Sequence, residues 1–531
     1  MRVFTLSVLC GSLLLAACSA KSPTPPGRVE ISVFSDPPHL DPQLADTGTT
    51  VLLLEQVISG LLAYDPQQNI VAGDAESFAW SADGRSLDLR LKRGLKWSDA
   101  QSLLACQYRD GILRALDPSV PATMADLLFD IRGAQDFKAG RGKASGVGLR
   151  CDDELGILSF ETVAPRPARL LHALAFSISA PIRADRVARF GSSWLLPQDG
   201  ESHGVASGAY VVSSWRTQGD VTLLSRSSLG ETLPLDRQAR IKELRFVRVP
   251  EPTVALTMYE RGDLDIVTEL PPALLPKLRA RPDFRVVPSN TTYMVGFGLK
   301  SSPWLKDKRV RRALALSARQ EEVPSLLQGG ELPAFSWVPP ELRGPMKAAK
   351  DPFNADAARA LLKEAGVPSP RPPLKLYFNP GERHKLIVER LANNWKRYLD
   401  WDIQLEAMEW KGLVSMVKAG APELWRYAWT AVYPDPIFFL DLFRTESLNN
   451  FGAWSNAEYD SLVSKLSAVA LEARDEAFWQ GVARAEKILV EEDPAFVPVY
   501  HYVRTLLVRP NLEGFEMSGG GSVPFRKLSF K

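Results

Sequence analysis

Five histidines, four cysteines and a scatter of paired carboxylates are the residues that could carry chemistry here. The histidines are His39, His172, His203, His384 and His501. None pairs with another at the i, i+3 or i+4 spacing that puts two imidazoles on one face of a metal-binding helix. Each reads as a surface or core residue, and no metal or cofactor is expected. Asp152-Asp153 and Glu491-Glu492 sit in polar stretches and read as solvated faces. There is no phosphate-cradling G-x-x-x-x-G-K-[ST], no G-x-G-x-x-G opening a helix and no G-x-S-x-G elbow. Catalysis finds no foothold, and the chain reads as a binding device, not an enzyme.

The cysteines do suggest chemistry. Arg2 precedes an apolar stretch from Val3 to Leu15, the length of a signal-peptide core and too short to span a bilayer. It ends in Leu15-Ala16-Ala17-Cys18, which resembles a bacterial lipoprotein box. Small residues at Ala16 and Ala17 fit a narrow peptidase cleft, and the Cys18 thiol would accept a diacylglyceryl group. Residues 1–17 are then a signal peptide, and residues 18–27, rich in Pro and Ser, a lipidated tether. Two or more acyl chains anchor durably, at roughly 0.8 kcal/mol per buried methylene. Ser19 after Cys18 would permit outer-membrane sorting in a Gram-negative cell. Cys10 leaves with the signal, so Cys106 and Cys151 remain. Two spare cysteines in an exported chain invite a disulfide, with two buried free thiols the alternative.

The elements that must position any site are mixed. With 531 residues, two or three structural units are expected. The apolar share of 45% supplies real cores, and the net charge of +2, with no basic block, argues against a nucleic-acid partner. After the signal no apolar run is long enough to span a membrane. Val29, Ile31 and Val33 alternate as a strand; Thr50 to Leu62 is helical in pattern. Phe78 to Lys92 reads as a hairpin turning at Ser81 to Gly84, and Gly208 to Arg226 as a second around Gly219-Asp220. Leu264 and Ile266 mark a short strand. Asp307 to Ala318 reads as a helix, and Asn354 caps another. Leu374 to Phe378 reads as a strand, Arg383 to Leu399 as a helix, Trp425 to Val432 as an apolar strand. Ala457 to Val490 is helical with a break near Arg474, and Val497 to Val508 is a terminal strand. Strands and helices interleave throughout, giving an α/β or α+β class.

Several blocks, in order, resemble the family-5 extracytoplasmic solute-binding proteins, the dipeptide and oligopeptide receptors of ABC importers. They are His39 to Gln43, Gly60 to Asp65, Leu89 to Asp99, Ser207 to Tyr210, Gly262 to Ile266, Asp307 to Leu314, Ala358 to Gly366, Trp454 to Asp460 and Val497 to Tyr502. The resemblance covers about residues 28 to 531. It implies a type II periplasmic-binding-protein clamshell of two lobes with an additional subdomain in the first lobe. Lobe I would take 28–58, 183–290 and 495–531, the extra subdomain 59–182, and lobe II 291–494. It further implies a monomer that captures peptides or peptide-like solutes for an ABC permease, held at the membrane by its lipid anchor alone. A sensory or interaction lipoprotein of the same fold, or a receptor for a non-peptide solute, are the alternatives.

The resemblance also places a site. The family's peptide-holding strand falls on Trp429-Thr430-Ala431-Val432-Tyr433-Pro434-Asp435-Pro436. The aspartate that pairs with a peptide's α-amino group in the family falls on Val432, which puts free-amine peptides in doubt. Asp435 either substitutes for it or is a turn residue before Pro436. Arg426 falls on a basic position that can receive a carboxylate, or it is a surface cation. Asp46-Thr47-Gly48 falls on a first-lobe loop that touches ligand backbone, and Thr268-Glu269 near the cleft. Trp97 and Trp429 either line the cleft or pack. Ala100 and Gln107 depart from the family's Gly and Asp.

Overall fold

The computed structural model describes residues 27–35, 39–45, 47–216 and 219–531. The stretch read as a signal peptide, Cys18, most of the stretch read as a tether, and Asp46 lie outside the described residues.

Alternating apolar residues build the strand Arg28–Val33, whose Val29, Ile31 and Val33 are buried. It lies between parallel Glu243–Arg248 and the short Ile266–Val267. Tyr210–Trp215 and Val221–Ser225 form the hairpin read around Gly219-Asp220. Ala75–Trp80 and Ser86–Leu91 form the other, within a separate four-stranded sheet. The helix Ala105–Leu116 packs on that sheet, and Cys106 is disulfide-bonded to Cys151 on the strand Leu149–Asp152, with their Cα atoms 5.1 Å apart. Asp153 accepts the Cys106 N–H at 2.8 Å, so the same corner is fixed by a hydrogen bond.

The large sheet has eleven strands and runs through the whole molecule. Two long strands carry it from one side to the other. Phe284–Phe297 starts against a first hydrophobic core through Val287 and ends in a second through Tyr293, Val295 and Phe297. Phe496–Val508 returns antiparallel, from Val497 and Val499 in the second core to Leu506 and Val508 in the first. Their pairing shifts register between Pro288 and Thr292, at the crossing. A third cluster, around Trp337, Phe439, Trp454 and Phe496, packs helices on the second side.

Helix ends follow their caps. Asn354 accepts the Ala357 N–H at 3.0 Å and starts Ala355–Glu364; Asp307 starts Lys308–Leu316. The helix read over Thr50 to Leu62 is shifted to Gly48–Val57, because Thr47 caps it, its Oγ1 accepting the Thr50 N–H. The helical stretch read over Ala457 to Val490 divides into Ala457–Ser467 and Glu476–Lys487, with Arg474 in the break. Trp97 is fully buried and donates its indole N–H to Gln107 at 2.9 Å, so it packs and does not line a cleft. Gln107 also accepts the Leu104 N–H at 3.1 Å, a capping task for the residue that departs from the family's Asp.

Candidate functional site

The strand Leu424–Thr430 is where the sequence-predicted residues gather. It pairs antiparallel with Phe284–Phe297 along its whole length, from Leu424 opposite Phe297 to Thr430 opposite Thr291. On its other edge Leu374–Phe378 pairs only as far as Trp425. Beyond that point no strand among the described residues pairs with the edge. Ala431 donates its N–H to Asn290 at 2.8 Å and Gly298 donates to Glu423 at 2.8 Å, which fixes the parity of the ladder. Odd-numbered residues of the strand face the paired side, so the N–H and C=O of Ala428 and Thr430 point outward. Thr430 is exposed and Val432 is 36% exposed, so this edge is reachable from solvent.

Arg426 stands at the inner end of that edge. Its guanidinium is buried, donates to Asn379 Oδ1 at 2.8 Å and to Tyr502 Oη at 3.2 Å, and lies 4.9 Å from the Tyr293 ring centre. Among the described residues it meets no carboxylate, and its Nε has no partner. Around it, Tyr293 Oη, His384 Nδ1 and Arg383 Nε are also buried without partners. Burial, then Arg426 and Arg383, push the His384 imidazole down to about 4, so it is neutral at pH 7. Three unsatisfied buried polar atoms beside a guanidinium whose own Nε is orphaned make chemistry suited to an anion.

The aromatic side of the same strand is continuous. Tyr427 lies 5.5 Å from Trp410 and 5.5 Å from Trp429, and Trp429 lies 6.2 Å from Phe451. Trp410 also lies 5.9 Å from the Arg426 guanidinium, so apolar wall and cation are adjacent.

Asp435 turns the other way. It is buried, caps the helix Pro436–Asp441 through the Ile437 N–H at 2.8 Å, and accepts from Arg474 at 2.7 Å and His172 at 3.2 Å. Burial alone would raise its carboxyl; His172 and Arg474 outweigh that and hold it below the usual carboxylate range. Its lone pairs are spent inside the protein. His172, from the helix Ala168–Leu174, stacks between Tyr433 at 4.8 Å and Tyr64 at 6.0 Å. Tyr64 Oη lies 3.0 Å from His172 Nδ1.

The remaining predicted residues stand on the first core. Thr47 and Gly48 are exposed at the start of their helix, and a Cβ on Gly48 would meet open space. Thr268 donates both its N–H and its hydroxyl to Ser32, at 3.0 and 2.9 Å. Glu269 follows it, and burial raises its carboxyl above the usual range. The candidate residues therefore divide between the two cores, with the crossing strands between them. Sequence reasoning missed Tyr293, Asn379, His384 and Tyr502. The only signal for them was a loop, Asn379-Pro380-Gly381, leading into His384 at a helix start.

A family profile described as bacterial extracellular solute-binding proteins, family 5 Middle, matches residues 69–451. The chain belongs to that family. It is 26% identical to the probable deoxycholate-binding periplasmic protein YgiS of Escherichia coli, over 96% of this chain and 95% of that protein. It is also 26% identical to the oligopeptide-binding protein OppA of Bacillus subtilis, over 95% and 92% of the two chains. Among solved structures, the unliganded open form of the murein tripeptide-binding protein MppA aligns with a TM-score of 0.80 at 23% identity, covering 96% of this chain and 98% of that one. The fold is the mixed α/β architecture of type II periplasmic binding proteins.

Proposed function

We propose that this family-5 protein is an extracytoplasmic receptor that captures peptides or peptide-like solutes by strand addition and delivers them to an ABC-type permease. The observation that carries this is the open backbone edge at Ala428 and Thr430, beginning at Arg426 with its seat for a carboxylate. A peptide laid on that edge gains main-chain hydrogen bonds irrespective of its side chains. Thr47, Gly48, Thr268 and Glu269 cover the ligand from the first core, and Asp46, outside the described residues, is part of the same proposal. Closure about the crossing strands traps it, because the ligand binds the closed form better. The lobe limits read from the sequence belong to this proposal, as do a monomeric state and a lipid anchor at Cys18 that holds the receptor beside its permease. Asp435 is a structural residue in it, not a ligand for the amino end.

A second solute class has its own observation. One relative is named for deoxycholate, and the wall of Trp410, Tyr427, Trp429 and Phe451 beside Arg426 suits an apolar body with one carboxylate. Equilibrium dialysis against an equimolar tripeptide pool and against deoxycholate separates the two. Retention of tripeptides supports strand addition; retention of deoxycholate alone sinks it. Labelling of cells with an alkyne fatty acid, lost in Cys18→Ala, tests the anchor.

A further inference from the structure

Arg426 marks one end of the open edge; past its other end, where Ala431 is bonded to Asn290 on the paired side, stands a second cation that meets no carboxylate among the described residues. Asn290 accepts the Ala431 N–H, and its own N–H goes to the carbonyl oxygen of Gly519 at 3.0 Å. Arg504 Nη1 donates to that same Gly519 oxygen at 2.9 Å. The Arg504 guanidinium and the Asn290 backbone thus lie within two hydrogen-bond lengths of each other, next to the outer end of the strand. The approach is close. A Cβ on Gly519 would fall 2.4 Å from Asn290 Oδ1, and one on Gly521 would fall 3.1 Å from Arg504 Nη2, so the Gly519-Gly520-Gly521 turn lets the guanidinium sit there.

Among the described residues no acid offsets this charge. Burial lowers the Arg504 pKa and no anionic neighbour raises it. Glu269, across the crossing, is likewise moved by burial alone and forms no ion pair with it. Asp435 is enclosed by His172, Arg474 and the Ile437 N–H. Val432 presents an apolar side chain to solvent. A neutral acceptor is present: Asn290 Oδ1 is buried and has no partner, while its Nδ2 donates to Gln68 Oε1 at 2.7 Å.

We infer that Arg504 is a specificity-determining residue of this site, setting it to take peptides whose α-amino group is acylated. This rests on strand addition with the ligand's carboxylate at Arg426. From there to Ala431 the edge spans about 16 Å, the reach of a short peptide. An ammonium at the far end meets a like charge in a partly desolvated cleft and, among the described residues of that end, no carboxylate. An acyl amide meets matching groups: its N–H faces Asn290 Oδ1 and its carbonyl oxygen accepts from Arg504. The aliphatic part of the acyl group lies over Val432.

The test is dialysis of the full chain against one equimolar tripeptide pool in free and N-acetylated forms, with retained species quantified by mass spectrometry. The acetylated pool is expected to bind at least tenfold more tightly. Arg504→Gln, checked for folding by circular dichroism, should bring the two forms to within about threefold, and Arg504→Lys should restore the preference. Equal or tighter binding of free peptides by the unaltered chain overturns the inference, as does an unchanged preference in Arg504→Gln. Loss of free-peptide binding in Glu269→Gln overturns it too, since Glu269 would then be the amine acceptor. Retention of neither form would overturn strand addition, and the inference with it.

Discussion

Replacing Arg426 with Met should separate binding from stability. The side chain keeps its length and loses its charge. In the unliganded protein two hydrogen bonds disappear, to Asn379 at 2.8 Å and Tyr502 at 3.2 Å, costing about 1 kcal/mol each. The cation–π contact with Tyr293 at 4.9 Å is worth about 1 kcal/mol more. Against this stands relief from a buried guanidinium with no carboxylate and an orphaned Nε. An uncompensated buried charge costs several kcal/mol, so the two sides nearly cancel. Stability by denaturant titration should change by less than about 1 kcal/mol. Binding should not be spared. Removing one partner of a buried, hydrogen-bonded charge pair costs about 2–5 kcal/mol, so affinity should fall by about two orders of magnitude or more. Calorimetry with any retained ligand reads this directly. Unchanged affinity together with a stability loss above about 2 kcal/mol would refute the assignment and make Arg426 a structural residue.

Asp435→Asn should destabilise the protein by about 3 kcal/mol, since it strips the carboxylate from buried Arg474 and His172; denaturant titration at pH 7 reads it, and a loss below about 1 kcal/mol counts against the network. Because the folded-state pKa of Asp435 lies below the unfolded one, its contribution is fully present above about pH 4 and is lost as pH falls further. Unfolding midpoints measured from pH 6 downward should show that loss in the parent and less of it in Asp435→Asn. Reduction of Cys106–Cys151, or Cys106→Ser with Cys151→Ser, should cost about 4 kcal/mol in the chain-entropy model for the loop of 45 residues it closes; a loss confined to the 59–182 region by hydrogen exchange would place it. Val432→Asp should raise affinity for free-amine peptides, and unchanged binding by calorimetry would remove Val432 from the site.

Much of the scaffold is legible in the sequence because period-2 and capping signals are local. Leu87, Leu89 and Leu91 face inward on their strand, and Asn354 and Asp307 cap helices where side-chain chemistry says they must. The strand Phe284–Phe297 escaped because its second half, Ser289 to Phe297, is buried on both faces and shows no alternation, and Pro288 interrupts it. That strand is half of the crossing and carries Asn290 and Tyr293. The site divides along the same line. Arg426 and Trp429 come from the family frame, but the fate of Asp435 depends on His172, 263 residues away. A turn residue before Pro436 and a lone histidine gave no reason to join them. Arg504 reads as an ordinary strand cation until the fold shows that its side chain's one hydrogen-bond partner is the Gly519 carbonyl oxygen and that no carboxylate among the described residues meets it.

Strand addition can be seen at single amides. Hydrogen exchange of the saturated and the free protein should show the Ala428 and Thr430 N–H groups becoming protected on ligand binding. Those of Tyr427 and Trp429, already bonded across the ladder to Phe284–Phe297, should change little. Protection that rises at Trp410, Trp429 and Phe451 while Ala428 and Thr430 exchange as before would contradict it, because the ligand would then rest on the aromatic wall and not on the backbone.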